Sequence, residues 1–332
     1  MSFRATRRQL LAGSLAAAAL RGTALAAPAR DVTYITPFGK IIAYAPDFIA
    51  VTNGYFEKNG LKVEIVGGTG SSQPVQLVVA GKALVGRTGG IDVSKAISAS
   101  GVPVRAIATI SHTSPFMVVS DPKKPIKSPA DLKGKSIGIV SRGGATDNLL
   151  DIMLVGAGVD RDSVQRQVAG NSPGAWDLIE RGRIDCFIVD ESVVISLRKS
   201  GKDPLVLDIN PYAAIPGQIY VASQTGIDEH RDELIGYLRA VREAVRFIIQ
   251  PANMDTVLDR LKTFDLAELR NPDVARASIE AQAKLWLAHG EQGILRNQPE
   301  NWDLGWHQLE AAGLVKAGDP KLAYTNDLVD AL

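Results

Sequence analysis

Cysteine is all but missing from this 332-residue chain, with Cys186 standing alone. One thiol excludes an internal disulfide framework and a cysteine-built zinc site. Histidine is nearly as scarce. The four, at positions 112, 230, 289 and 307, are too scattered for metal-ligand spacing. Cys186 lies in the apolar run Ile184-Asp185-Cys186-Phe187-Ile188-Val189, where it is expected simply to pack in a strand. A charge excess is lacking too. With 37 basic against 36 acidic residues, nothing draws the chain to nucleic acid or an anionic membrane. The apolar stretch near the N terminus is alanine-rich and too short for a membrane span.

What the N terminus does hold is a targeting pattern. Thr6-Arg7-Arg8-Gln9-Leu10-Leu11 is a twin-arginine motif, an Ala/Leu-rich stretch follows, and Ala24-Leu25-Ala26 matches an A-x-A cleavage site. Residues 1–26 are therefore expected to be a Tat export signal, leaving a soluble periplasmic protein. No cysteine follows the cleavage site to carry a lipid. The segment contains Arg4, Arg7, Arg8 and Arg21 and no acid. Its removal leaves 33 basic residues (37 less these four) against 36 acidic, a net charge of −3. The remaining ~306 residues suffice for two lobes with real cores.

The chain then alternates strand and helix patterns, and its most informative stretch is 126–146, IKSPADLKGKSIGIVSRGGAT. Ser128-Pro129 opens a single helical turn. Ser136–Val140 is an apolar run of strand length, and Ser141-Arg142-Gly143-Gly144-Ala145-Thr146 leads into the helical pattern LLDIMLVGAG. A small-residue turn of this kind lets backbone N–H groups approach an anion, with the helix dipole behind them. An ordinary connecting turn is the alternative. Gly134-Lys135-Ser136 ends like a P-loop, but Pro129 stands where its first glycine is required.

Other turns repeat the pattern. Gly67–Pro74 offers Thr69, Ser71 and Ser72 as donors at the start of a helix, and Gln73 breaks the dinucleotide-binding fingerprint there. Val85–Asp92 offers Thr88 and Gly89, with Arg87 either reaching a ligand or held in a surface salt bridge. His112, past the strand 104–110, is a candidate donor to an anionic ligand. Asp190 and Glu191 close another strand. Adjacent carboxylates in a strand point to opposite faces, so they do not share one substrate atom as an acid–base pair. One of them pairs with Arg142, accepts from a ligand amine or hydroxyl, or caps the next helix. Gly81–Gly101 and Gly182–Gly201 bracket the same strand–turn–helix plan, one in each half.

Three segments, GYFEKNGLKVEIV (54–66), SPADLKGKSIGIV (128–140) and LAYTNDL (322–328), resemble the solute-binding proteins of ABC importers. The likeness is to the sulfonate/taurine and NMT1/THI5-like (thiamine-precursor) group, and it covers nearly the whole chain beyond residue 26. It implies an α/β fold of the two-lobed periplasmic binding protein kind (type II), with two crossovers and a ligand cleft between lobes. Lobe 1 is expected from 27–120 and 216–332 and lobe 2 from 121–215, with the proline-bounded stretch 121–125 as a hinge. The implied function is capture of a small organic anion, a sulfonate or carboxylate, for an ABC permease at the inner membrane, as a monomer without a cofactor. The ligand is expected to meet Ser141, Arg142, Gly143, Gly144, Ala145 and Thr146 from one lobe. From the other come Phe38, Lys40, Thr69, Ser71, Ser72, Thr88, Gly89 and His112. Asp190 and Tyr220 leave room for an amine or heterocycle, so a binder of a pyrimidine precursor is the alternative, and a ligand sensor for a signalling partner is another. Enzymatic activity is not expected. The group's pyrimidine-forming eukaryotic relatives rely on a cysteine-rich segment, and this chain has only Cys186.

Overall fold

The computed structural model describes residues 29–332, so the expected export signal lies outside the described residues. Ten strands form two five-stranded sheets. The first contains β1 (Arg30–Thr36), β2 (Leu61–Gly67), β3 (Val85–Thr88) and β4 (Val104–Ser111). The second contains β5 (Phe116–Ser120), β6 (Ser136–Ile139), β7 (Gln165–Val168), β8 (Cys186–Asp190) and β9 (Leu205–Asp208), and β10 (Gln218–Ser223) returns to the first. The orders are β2-β1-β3-β10-β4 and β7-β6-β8-β5-β9. Each sheet thus receives one antiparallel strand from a chain arriving from the other lobe: β10 between β3 and β4, and β5 between β8 and β9.

The assignment of Phe116–Ser120 to the first lobe is corrected by this pairing. FMVVS is an apolar run that serves either sheet equally well, and its register with β8 places it in the second. The crossing lies at 112–115, and 121–125 is a turn closed by Asp121, which accepts from the Lys123 and Lys124 N–H groups. The returning segment runs beside the outgoing one. Ser114 N–H donates to Asn210 Oδ1 at 2.7 Å, and Gly217 N–H donates to the Ser111 carbonyl at 2.9 Å. A Cβ on Gly217 would sit 1.9 Å from the Thr113 carbonyl oxygen, so only glycine fits this approach.

Central strands β3 and β8 are buried at every position, whereas edge strand β2 alternates buried and exposed, as expected of strands covered on two faces or one. Seven helices matter to the cleft: α1 (Ala45–Thr52), α2 (Gly90–Ser100), α3 (Ala145–Gly156), α4 (Glu191–Lys199), α5 (Arg231–Ile248), α6 (Pro272–Trp286) and α7 (Pro299–Ala311). Pro46 lies in the first turn of α1, where its missing N–H costs nothing, so it starts the helix instead of kinking it. Leu234, Leu238, Val241, Val245 and Ile248 of α5 form a fully buried stripe beside α1.

The C-terminal helices join the lobes. α6 packs on α4, and α7 touches both α2 and α3. One apolar cluster runs from Ile35 and Val75 of the first lobe to Phe116, Ile137 and Leu149 of the second, with Trp302 and Trp306 of α7 inside it. The lobes are therefore closed on each other.

Candidate functional site

The strand ends of both sheets converge on an inner cavity between the lobes. The first lobe supplies Phe38 and Tyr44, from the segment after β1, and Gln218 at the start of β10. The second supplies Phe116, Asn171 and Asp190, and α6 adds Gln282. Phe38 and Phe116 meet edge to face, 6.3 Å between centroids at 86°, one ring from each lobe. The closed cavity measures about 10 Å³, room for one water. A larger guest enters before closure or displaces these walls.

Asp190 is the charged group of this cavity. It ends β8 and caps α4, its Oδ1 accepting the Ser192 N–H at 2.9 Å, while its own N–H donates to Asn171 Oδ1 at 3.0 Å. Burial pushes its carboxyl up to about 6, aided by nearby Glu191 and Glu268 and opposed by the Ser192 hydrogen bonds. Ile41 and Asn171 also border a wider outer cavity of about 380 Å³. Its rim carries the cations Lys40, Lys199 and Arg270, together with Ser172, Ser196 and Glu268.

Behind the inner wall lies a fully buried polar centre. Asp47, in the first turn of α1, accepts hydrogen bonds from Tyr237 (2.6 Å), Tyr220 (3.0 Å) and Tyr34 (3.3 Å). It pairs with Arg87 Nη1 at 3.3 Å. Burial raises the Asp47 carboxyl pKa, while Arg87 and the three hydroxyls pull it down. Arg87 in turn lies over the rings of Tyr44 and Tyr220 and donates Nε–H to Gln218 Oε1 at 3.3 Å.

The expected site residues divide into two places. Phe38 and Asp190 line the inner cavity and Lys40 the outer one. The others line neither cavity, and most of their polar groups are engaged elsewhere. The turn at 141–146 closes against the first lobe. Ala145 N–H donates to Ser71 Oγ at 2.9 Å, Gly143 N–H to Asp147, and Val140 N–H to Thr146 Oγ1. Ser141 packs against Gly144, whose absent Cβ would meet its Oγ, and Arg142 turns outward to the Arg166 carbonyl. Ser71, Ser72 and Thr88 all donate to the buried Asp92 carboxylate, whose pKa burial raises. Thr69 bonds to Gln73, and Gly89 caps α2.

His112 is buried elsewhere, with Nε2 3.3 Å from the Gly293 carbonyl and its ring edge-on to His289. Burial and His289 lower its pKa to about 4, and the ring lines neither cavity. Tyr220 sits in the first-lobe core on Asp47, and Arg87 is neither a ligand contact nor a surface ion pair. Tyr44, Phe116, Asn171, Gln218 and Gln282 were not legible as site residues, since they are distant in sequence and share no motif.

Two mixed sheets joined by paired crossovers, with polar strand ends facing one cavity, define the substrate-binding protein fold of ABC import systems. The chain belongs to the NMT1/THI5-like family, whose family model matches residues 42–253. It is 25% identical over 224 residues to a formylaminopyrimidine-binding protein of Halalkalibacterium halodurans, a match spanning 65% of either chain. It is 24% identical over 297 residues to 4-amino-5-hydroxymethyl-2-methylpyrimidine phosphate synthase of Schizosaccharomyces pombe, spanning 86% of this chain and 82% of the relative. Among solved structures, the periplasmic aliphatic sulphonate binding protein SsuA of Escherichia coli superposes with a TM-score of 0.67 at 16% identity, covering 90% of this chain and 99% of SsuA.

Proposed function

We propose that the protein is an exported, periplasmic solute receptor that closes on a small planar heterocycle bearing an amine and delivers it to the permease of an ABC importer. The observation that carries this reading is Asp190, a buried carboxylate in a cavity walled by Phe38, Tyr44 and Phe116. An amine offered to that carboxylate recovers the hydrogen bonds lost on burial, and the rings suit a flat guest. The name of the bacterial relative is consistent with such a ligand. One chain supplies both walls, so a monomer suffices.

The reading involves no catalysis. The lone thiol, Cys186, is buried in β8 and pushed up to about 12, which leaves no thiolate to act as a nucleophile. Among the described residues, no cluster of three or more His, Cys, Asp or Glu side chains is placed to hold a metal. A second reading, an organic anion, draws support from Lys40, Lys199 and Arg270 around the outer cavity. It does not draw on the 141–146 turn, where Gly143 and Ala145 N–H groups already donate to Asp147 and Ser71.

Ligand-stripped protein, unfolded and refolded, should be melted against aminopyrimidines, alkane- and arylsulfonates and aromatic carboxylates. A true ligand at a hundredfold over its Kd adds about 2.7 kcal/mol, a rise of several degrees. Stabilisation by aminopyrimidines that is lost in Asp190→Ala supports the heterocycle reading. Stabilisation by sulfonates alone, sensitive to Lys40→Ala, replaces it with the anion reading.

A further inference from the structure

Three cations from three parts of the chain line the outer cavity: Lys40 after β1, Lys199 at the end of α4, and Arg270 in the turn before α6. Glu268, two residues before Arg270, is the one carboxylate of its wall among the described residues. Opposite charges that share a cavity usually pair. Here they do not. Among the described residues, no carboxylate lies within 4 Å of any of the three cations. Glu268 instead accepts the Ile42 N–H through Oε1 at 3.1 Å, and its Oε2 is buried without a hydrogen-bond partner. An ionised carboxylate has about four acceptor positions, so most of this one is unserved.

A guest that completes this wall brings a charged donor for Glu268 and a negative group for the cations. A plain anion supplies only the second and is repelled by Glu268. A plain amine supplies only the first and is repelled by the lysines and Arg270. Three cations against one carboxylate leave the wall with a surplus of positive charge, which favours a guest with more acid than amine. We propose that the outer cavity is a second ligand site that takes an acidic amino acid, its ammonium on Glu268 and its two carboxylates on Arg270 and the lysines. The volume of about 380 Å³ lies in the range of pockets that enclose small solutes. Lys40 belongs to the first lobe and Lys199 to the second, so a guest bonded to both holds the lobes in the closed state. The site stands whichever guest the inner cavity takes.

The test titrates the mature protein calorimetrically with L-glutamate, glutarate and γ-aminobutyrate. Glutarate is L-glutamate without its amine, and γ-aminobutyrate is L-glutamate without one carboxylate. Each should bind about tenfold or more weakly than L-glutamate, the worth of one lost hydrogen bond to a charged group. Glu268→Gln keeps an acceptor for the Ile42 N–H and removes the charge. It should weaken L-glutamate by about tenfold and leave glutarate no weaker, so the ratio of their Kd values falls towards one. Lys199→Ala, at an exposed position, should weaken both probes. Equal wild-type affinity for L-glutamate and glutarate would overturn the proposal, leaving a plain anion site. Equal affinity for γ-aminobutyrate would overturn the acidic preference, and binding of none of the three would overturn the site itself. Should Glu268→Gln not fold, the wild-type ranking decides alone. Aminopyrimidine binding is measured separately on the same protein, so failure here leaves the heterocycle reading standing.

Discussion

Asp190 sits in a conflict that its neighbours do not resolve. Its folded pKa of about 6 exceeds the ordinary aspartate value, so the folded state holds the proton more tightly than the unfolded chain. Its contribution to stability therefore grows as pH falls from about 6 to about 4, and above pH 6 burial of the charge is a standing penalty. Asn caps a helix as well as Asp does. Asp190→Asn should accordingly raise stability at pH 7 by on the order of 2 kcal/mol and converge with wild type near pH 4, as read from urea melts at several pH values. Ligand affinity should run oppositely, an amine losing its partner as wild type is acidified below pH 6. Asp47 is also raised by burial, but it has a charged partner in Arg87 and hydrogen bonds from three tyrosines. Asp47→Ala leaves Arg87 buried without a counter-charge and should cost about 3–5 kcal/mol, measurable by thermal unfolding. Sequence offered Asp190 because it follows a strand, and left open whether it met a ligand or capped a helix. It does the second and faces the cavity as well. Sequence was silent on Asp47, because an acid in a first helical turn reads as an ordinary dipole partner.

At the scale of elements, apolar runs and turn chemistry predicted the strands at 104–110, 136–140 and 184–189 and the helix after 146. The apolar run at 116–120 could not reveal its sheet, since pairing is decided by strands far away in sequence. The same holds for the turns. A Ser/Gly/Thr turn before a helix looks alike whether its N–H groups await an anion or meet another loop. Here Ser71 reaches across from the first lobe to cap α3, and Lys95 of α2 adds a 2.6 Å bond to Asn148. These bonds exist only when the lobes meet. Ser71→Ala should weaken closure by about 1 kcal/mol, seen as up to tenfold poorer ligand affinity and a larger radius of gyration in ligand-free solution scattering. Gly217→Ala drives a methyl into the Thr113 carbonyl where the two crossing segments touch. It should lower stability by about 1–3 kcal/mol, checked by thermal melting.

Over the whole molecule, the glycine-bracketed units showed one strand–turn–helix plan used twice, and the two-lobed architecture followed from the resemblance carried by 54–66, 128–140 and 322–328. The clamp formed by α6 and α7 was not legible, because amphipathic helices announce a buried face without naming what buries it. That clamp also makes the molecule its own optical instrument. All four tryptophans are buried, and Trp302 and Trp306 sit on α7 in the apolar cluster shared by the two lobes. Separating α2 from α3 would let water reach these indoles, and rejoining them would expel it. Emission should therefore shift to the red as the lobes part and back to the blue as a ligand seals them. Opening and closing can thus be timed in a stopped-flow cuvette on the unlabelled protein, with Trp306→Phe as the control that should mute the signal.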